Sequence, residues 1–139
     1  GVVREAVLGR QRFCQADIGS SKAVVLTHRI NLFYGLDWTA HAQALPASNV
    51  SSADLLITAV DKASYRAAVG TKHRHLPCDS LWADAGNGAT VGQIVLGHLG
   101  TPRAGLRLPN VHDLYPELAS MKAADAELPS CSTEGTIRR

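Results

Sequence analysis

Residues 54–70 read DLLITAVDKASYRAAVG, and this stretch decides the fold. The nearly continuous apolar run between Asp54 and Asp61 is typical of a strand that is buried on both faces of a parallel sheet. Residues 62–70 predict a short helix, which Gly70 ends. Its inward side consists of three alanines: Ala63, Ala67 and Ala68.

A clearer helix precedes this unit, over residues 21–34. Ser20 or Ser21 can accept a hydrogen bond from a free N–H group of the first helical turn. Gly35 ends the helix, because a glycine reaches positive φ without a clash at Cβ. The apolar side chains recur at roughly the helical period: Ala23, Val24, Leu26, Ile30 and Phe33.

Three further segments read as strands. Residues 37–45 alternate apolar with polar side chains, which predicts a half-buried strand that Pro46 ends. Residues 81–85 and 92–99 predict two strands on either side of a turn at residues 86–88 (GNG). The order helix, strand, strand, helix, strand, strand indicates an α/β fold, in which ligands bind at the carboxyl ends of the strands.

The chain length of 139 residues corresponds to about one domain. We expect the α/β domain over residues 1–105 and a C-terminal extension, mostly loop, over residues 106–139. From residue 101 onward the chain contains four of its six prolines, and we expect one short helix there, near residues 117–124.

Composition and charge exclude several classes of protein. The net charge is +2 and charged residues make up 19%, which argues against a nucleic-acid binder or a polybasic membrane binder. No apolar run approaches the roughly 20 residues of a membrane helix, and residues 1–10 do not resemble a signal peptide. Three widely spaced cysteines form neither a disulfide framework nor a closed zinc site, so we expect a cytoplasmic protein.

Asp61 is a candidate for catalysis and metal binding. It follows the apolar strand, so it is expected at the carboxyl edge of the sheet, where magnesium or a nucleotide could meet it. The alternative is that Asp61 caps the following helix, a common role for aspartate.

Lys22 is a candidate for phosphate binding. It lies in the first turn of the helix, where a cation opposes the helix dipole unless an anion binds there too. Arg10 and Arg12 precede it in a loop. The alternative is that Lys22 is an ordinary solvated surface lysine.

Other polar residues give weaker signals. His73, His75 and Cys78 superficially resemble a metal site, but the basic neighbours Lys72 and Arg74 would oppose a cation. Cys131, in the segment PSCS, is a candidate nucleophile if its pKa is lowered; the alternative is an unreactive cysteine in a tail.

Several segments together resemble the ThiF/MoeB/HesA family, the bacterial relatives of ubiquitin-activating enzymes. Residues 8–13 (LGRQRF) match its R-Q loop, residues 17–23 (DIGSSKA) match its D-I-G-x-x-K-A helix start, and residues 54–61 match its strand ending in Asp. Further segments resemble the ThiF-family proteins of PRTRC gene systems: residues 31–38 (NLFYGLDW), 84–88 (DAGNG), 92–97 (GQIVLG), 108–117 (LPNVHDLYPE) and 129–132 (PSCS).

The resemblance implies a Rossmann-like, doubly wound α/β domain, usually dimeric. It also implies that the chain binds ATP and Mg²⁺ and adenylates the C-terminal glycine of a ubiquitin-like or sulfur-carrier protein. Residue by residue, Arg10 and Lys22 match the cations that contact the ATP phosphates, and Gln11 lies beside Arg10. Asp61 matches the aspartate that holds magnesium. Two cations and a metal suit the negative charge that spreads during AMP transfer.

The chain also departs from the family pattern. The Gly-rich turn and the ribose-binding acidic residue would precede Val3, so the first βαβ unit is missing. Val7 occupies the place of the motif's Asn, Asp61-Lys62 replaces the usual Asp-Asn, and the C-x-x-C pairs of many relatives are missing. A chain that lacks the central strand and does not begin with Met is expected to be a piece of a longer product or to form oligomers.

The sequence therefore supports two functions of different classes. The first is an ATP-dependent adenylyltransferase of ThiF type, or a fragment of one. The second is a non-catalytic binding or scaffold module that keeps the sheet without a working nucleotide site, which the missing glycine turn favours.

Overall fold

A computed structural model of the chain describes residues 1–9, 11–50, 53–87 and 92–120. These residues form two compact units, which are described separately: Gly1–Ala44, and the described residues from Leu45 onward. The described residues contain three α-helices, four short 3₁₀ helices and an open three-stranded sheet. The fold is therefore mixed α/β, as the sequence predicts.

The first unit is built on helix α1, Lys22–Tyr34. The predicted bounds are confirmed, and Gly35 ends the helix in the left-handed conformation, at φ 65°. The predicted serine cap is wrong, since Ser21 occupies the N-cap position but its side chain makes no capping hydrogen bond. The backbone N–H of Lys22 instead donates to the carbonyl oxygen of Gly1, at 3.0 Å.

A small apolar core lies beside α1 and consists of Val3, Val7 and Phe13. Leu8 and Val25 pack against it, and Val25 comes from α1 itself. The helix is thus attached to the N-terminal segment through one apolar side chain and several polar contacts.

The predicted strand over residues 37–45 is wrong. The structure assigns no strand there, and every residue of the segment except Ala40 is exposed. Alternation of alanine with polar residues satisfies the period of a strand, but a strand also requires a partner for its backbone groups.

The second unit contains the sheet, with strands β1 (Leu55–Thr58), β2 (Leu81–Asn87) and β3 (Gly92–His98) in that order. β1 and β2 are parallel and are connected through helix α2, Ala63–His73. β2 and β3 are antiparallel, with Ala83 opposite Leu96. These three strands and the helix confirm the elements predicted for this half of the chain. The predicted helix end is wrong, since α2 continues past Gly70 to His73, and Gly86 and Asn87 of the predicted turn belong to β2.

Burial of β1 corrects the prediction of a strand covered on both faces. Leu56 and Thr58 are buried, whereas Leu55 and Ile57 are 48% and 68% exposed. One face of the sheet therefore carries the core and the other meets solvent. Ala68 of α2, predicted to face inward, is likewise exposed. The core residues are Val50, Leu56, Val69, Cys78, Trp82, Leu99 and Val111.

The end of the described chain folds back on β3 through helix α3, Val111–Leu114. Asn110 caps this helix, because its side-chain oxygen accepts from the N–H groups of His112 and Asp113. Gly97 permits the close approach, since a Cβ there would collide with the carbonyl group of Pro109. A 3₁₀ helix, Pro116–Ala119, covers the start of the helix predicted near residues 117–124; the rest of that prediction lies outside the described residues.

No helix in the described part of the chain combines the length and the apolar character needed to cross a membrane. The longest of them, α1, has 13 residues.

Candidate functional site

The loop that leads into α1 is the first half of the candidate site. Gly19 has a φ of 87°, and the backbone of residues 19 and 20 is hydrogen-bonded to both sides of Val3. These bonds fix the turn after which Lys22 becomes the first residue of the helix. In the segment DIGSSKA, hydrogen bonds to Val3 therefore fix the turn at Gly19 and with it the position of Lys22 at the start of α1.

Lys22 contacts the second segment of the resemblance. Its Nζ donates to Oε1 of Gln11 at 3.1 Å and lies 5.9 Å from the ring centroid of Phe13. Both Gln11 and Lys22 are half-buried. The bond to Gln11 uses one of the three donors of the ammonium group. An ammonium group at a helix N-terminus can contribute to an anion site, because the first-turn N–H groups favour negative charge in the same place.

Asp17 holds this loop together, a role that the sequence did not reveal. Its carboxylate accepts from the backbone N–H of Cys14 at 2.7 Å and from Nη2 of Arg29 at 2.7 and 2.9 Å. The hydrogen bond from the Cys14 amide, followed by the contacts with Arg29, holds the pKa of Asp17 below its ordinary value. Arg29 also donates to the carbonyl oxygen of Arg12, so this one side chain attaches α1 to the loop at Arg12 as well as at Asp17.

Asp61 belongs to the second unit and lies in the connection between β1 and α2. β1 ends at Thr58 and α2 begins at Ala63, with Lys62 at the N-cap position. Asp61 is exposed and follows the carboxyl end of β1, as the sequence predicts. Two other predicted site residues, Arg10 and Cys131, lie outside the described residues.

A buried polar network anchors both ends of that connection. Asp84, 1% exposed, accepts a hydrogen bond from the hydroxyl of Thr58 and another from Nε of Arg66, the latter at 2.8 Å. Arg66 also donates to the carbonyl oxygen of Ala85, and the indole N–H of Trp82 donates to Thr58 at 2.9 Å. Along the chain, Asp61 therefore lies between Thr58 of β1 and Arg66 of α2, and both of these residues bind the carboxylate of Asp84.

Sequence reasoning missed this network, although two signals for it exist. Arg66 shares a helix side with Ala63, Ala67 and Gly70, the spacing of an inward face. Asp84 interrupts an otherwise apolar strand and lies directly opposite Thr58 in the parallel register. A charge at an inward position of each element predicts a buried pair, because neither charge is stable there alone.

A cleft of about 330 Å³ lies at the opposite, amino ends of β1 and β2. Its lining residues are Ala53, Asp54, Pro77, Cys78, Asp79, Ser80 and Arg103. Asp79 accepts from the backbone N–H of Arg103 at 2.8 Å and pairs with the guanidinium of the same residue at 2.7 Å, and the backbone bond is the main cause of the lowered pKa of Asp79. The carboxyl ends of the strands, where Asp61 lies, are at the other edge of the sheet.

The described residues contain no group of three or more His, Cys, Asp or Glu side chains that could hold a metal ion. His73 is instead buried, with Nε2 hydrogen-bonded to the carbonyl oxygen of Ala47 at 2.7 Å, and Cys78 belongs to the apolar core. The alternative of a metal site at His73, His75 and Cys78 is therefore wrong.

Comparisons with known proteins give no relative for this chain: no family model, no curated protein and no solved structure matches it.

Proposed function

We propose that this chain is an ATP-dependent adenylyltransferase of ThiF type, or part of one, acting in the cytoplasm. Its acceptor is the C-terminal glycine of a ubiquitin-like or sulfur-carrier protein. The observation that carries the proposal is the contact between Lys22 and Gln11. Two segments that the resemblance pairs, the R-Q loop and the D-I-G-x-x-K-A helix start, lie against each other at the N-terminus of α1.

The fold is compatible with this proposal. β1, α2 and β2 form a parallel strand–helix–strand unit, the repeating element of doubly wound sheets. We infer that the three-stranded sheet belongs to a Rossmann-like sheet of the kind that the resemblance implies. In such a sheet the nucleotide binds at the carboxyl ends of the strands, where Asp61 lies.

The reaction is a transfer of AMP. A carboxylate oxygen of the acceptor's terminal glycine forms a bond with the α-phosphorus of ATP, the bond from that phosphorus to the bridging oxygen breaks, and pyrophosphate leaves with the bonding pair. Lys22 and Arg10 bind the phosphates and offset the negative charge that spreads during the transfer. Gln11 holds the ammonium of Lys22 in place.

Asp61 is the residue that would hold Mg²⁺, because it offers an exposed carboxylate, a ligand that magnesium prefers, beside the end of β1. The bound ion would supply further neutralisation of the phosphates. Thr58 and Arg66 position Asp61 indirectly, since both bind Asp84 and so fix the two ends of the β1–α2 connection.

Calorimetric titration with ATP and Mg²⁺ tests the proposal. We expect the wild-type chain to bind the nucleotide with micromolar affinity, and Lys22→Ala to weaken it by about 10- to 100-fold, the effect of losing a charged hydrogen bond. Lys72→Ala, an exposed lysine at the end of α2, is the matched control and should bind as the wild type does. Asp61→Asn should remove the dependence of the affinity on Mg²⁺.

The second candidate function is a non-catalytic binding module. The exposed face of the sheet favours it, because this face presents four large aliphatic side chains to solvent: Leu55, Ile57, Ile94 and Leu96. The same titration separates the two candidates, since no heat at millimolar nucleotide would contradict the enzyme and support the module.

A further inference from the structure

The cleft at the amino ends of β1 and β2 has no part in the proposed adenylation. Its volume of about 330 Å³ lies at the small end of the range for ligand pockets, about 300–1,000 Å³. Asp54 comes directly before β1, and Asp79 and Ser80 come directly before β2, so both parallel strands bring polar side chains to the same space. Arg103, from the loop after β3, completes the charged lining. The cleft therefore suits a small polar molecule.

Two of the lining residues are buried and fixed by the backbone. Cys78 and Ser80 are 7% and 9% exposed. The N–H of Cys78 donates to the carbonyl oxygen of Thr101, and the N–H of Leu99 donates to the carbonyl oxygen of Ser80, both at 2.9 Å. Gly100 lies between these two bonds, and a Cβ there would collide with Cβ of Cys78. This side of the cleft is thus in place before a ligand arrives, which lowers the ordering cost of binding.

Arg103 is a cation that the cleft holds in a defined position. The carboxylate of Asp79 accepts from the backbone N–H of Arg103 at 2.8 Å and from Nη1 of the same residue at 2.7 Å. The backbone bond is the main cause of the lowered pKa of Asp79, so this carboxylate remains charged at neutral pH and keeps the guanidinium in place. A guanidinium has five N–H donors, and Asp79 is the one acceptor for those of Arg103 in the described part of the chain. Arg103 therefore has donors left for the carboxylate of a ligand.

Asp54 is the anion of the cleft that has no fixed cation. Its carbonyl oxygen accepts from the N–H of Leu81 at 2.9 Å, which fixes its backbone beside the start of β2. None of the ion pairs between described residues includes its carboxylate. Ser80 adds a hydroxyl oxygen to the same cleft. An ammonium group has three donors and no acceptor, so a carboxylate together with a hydroxyl oxygen matches it.

We propose that this cleft binds a free α-amino acid with a short side chain. The ammonium group of the ligand binds Asp54 and the hydroxyl oxygen of Ser80, and its carboxylate binds the guanidinium of Arg103. A simple amine would leave the remaining donors of Arg103 unused, and a simple carboxylate would leave Asp54 without a cation. An α-amino acid carries both groups on one carbon atom, which suits the small volume of the cleft.

The charges of the lining argue against other classes of ligand. Two carboxylates, Asp54 and Asp79, and one guanidinium line the cleft, so a nucleotide or another phosphate would meet more negative than positive charge. A metal ion does not fit either, because the described residues contain no group of three or more His, Cys, Asp or Glu side chains that could hold one. A zwitterion satisfies both signs of charge without adding a net charge.

Titration of the ¹⁵N-labelled chain, followed by two-dimensional NMR without ATP or Mg²⁺, tests the proposal. The three probes are L-alanine, ethylamine, which has only the ammonium group, and propionate, which has only the carboxylate. We expect L-alanine to shift the amide signals of Asp54, Asp79 and Ser80, with a dissociation constant of about 1 mM or lower. Ethylamine and propionate should bind at least about 10-fold more weakly, because each lacks one charged hydrogen-bonded contact.

Two variants separate the two ends of the ligand. Asp54→Asn should raise the dissociation constants of L-alanine and ethylamine by about 10-fold or more and leave that of propionate unchanged. Arg103→Ala should do the same for L-alanine and propionate and leave ethylamine unchanged. Asp37→Asn, at an exposed carboxylate of the first unit, is the matched control and should bind L-alanine as the wild type does. All three substituted side chains are exposed, and the dispersion of the amide signals shows that each variant is folded.

Three results would overturn the proposal. The first is the absence of shifts at the cleft residues with L-alanine at about 10 mM, well above the expected dissociation constant. The second is ethylamine binding as tightly as L-alanine, which would identify a plain amine site in which Arg103 has no role. The third is equal affinity for L-alanine in Asp54→Asn and Asp37→Asn. Each of these results is independent of the proposed adenylation, since Asp61 lies at the other edge of the sheet and no nucleotide is present.

Discussion

Two Arg–Asp pairs, one just before β2 and one in the middle of β2, have almost the same length in opposite environments. Before the strand, Nη1 of Arg103 lies 2.7 Å from Asp79, and the two side chains are 73% and 52% exposed. Within the strand, Nε of Arg66 lies 2.8 Å from Asp84, and these side chains are 11% and 1% exposed. The distances alone would rank the two pairs as equal, so the difference between them isolates the effect of burial.

Burial changes what the loss of one partner does. Water solvates a charge left behind in the exposed pair, and salt screens its interactions. A charge left behind in the core has no such solvent, and its desolvation cost remains unbalanced. We therefore expect the loss of stability on removing one partner to increase with the burial of the pair. The pair of Arg107 and Asp113 should be intermediate, since its side chains are 25% and 12% exposed.

The largest effect is expected for the buried pair. Arg66→Met and Asp84→Leu should each lower the free energy of unfolding by about 3–5 kcal/mol, because each leaves one buried charge unpaired. The double variant should lose less than either single variant, since it buries no lone charge. Urea unfolding followed by far-UV circular dichroism measures this; the indole of Trp82 belongs to the network, so fluorescence would respond to the substitutions themselves.

If each single variant lowered the free energy of unfolding by only about 1 kcal/mol or less, the effect would be that of an ordinary surface pair. Such a result would contradict the expected effect of burial. It would also weaken the argument that Thr58 and Arg66 fix the ends of the connection that contains Asp61.

The second effect, of intermediate size, is expected for Asp113. Burial acts to raise the pKa of this carboxyl, but the N–H of Asn110 and the guanidinium groups of Arg107 and Arg74 outweigh it and lower the pKa below the ordinary value. The folded state thus favours the carboxylate, so its contribution is complete above the ordinary pKa and is lost as the pH falls through the lowered value. Asp113→Asn should cost about 1–2 kcal/mol at neutral pH, and this difference from wild type should shrink below about pH 4.

Urea unfolding at a series of pH values measures the difference, with Asp54→Asn as a control at an exposed carboxylate of the same unit. A difference that stays constant down to pH values well below 4 would show that the carboxylate itself contributes nothing.

Local signals in the sequence were sufficient for much of the fold. The bounds of α1 follow from its apolar period and from Gly35, and β2 and β3 cover the two strands predicted at residues 81–85 and 92–99. The strand predicted over residues 37–45 failed because its period was right but no neighbouring strand pairs with it. The exposure of Leu55 and Ile57 on one face of β1 was missed for a similar reason, because the burial of a strand residue depends on what packs against it.

For the candidate site too, local signals predicted some residues, whereas others required the tertiary structure. Short segments made Lys22 and Asp61 candidates, the family resemblance added Gln11, and the structure brings Lys22 and Gln11 into contact. The sequence did not identify Asp84 and Arg66 as partners, because they are 18 positions apart and meet only after α2 folds over the sheet. Polar residues whose role depends on a distant partner require the tertiary structure.

The smallest effect is expected for the exposed pair. Arg103→Ala removes only a solvated side chain, and the backbone N–H of residue 103, the main cause of the lowered pKa of Asp79, continues to donate to that carboxylate. We therefore expect the melting temperature to change by at most about 2 °C. Any difference should disappear in about 0.5 M salt, because the Debye length there is only a few ångströms. If Arg103→Ala instead destabilised the chain as strongly as Arg66→Met, burial would not be what distinguishes the two Arg–Asp pairs.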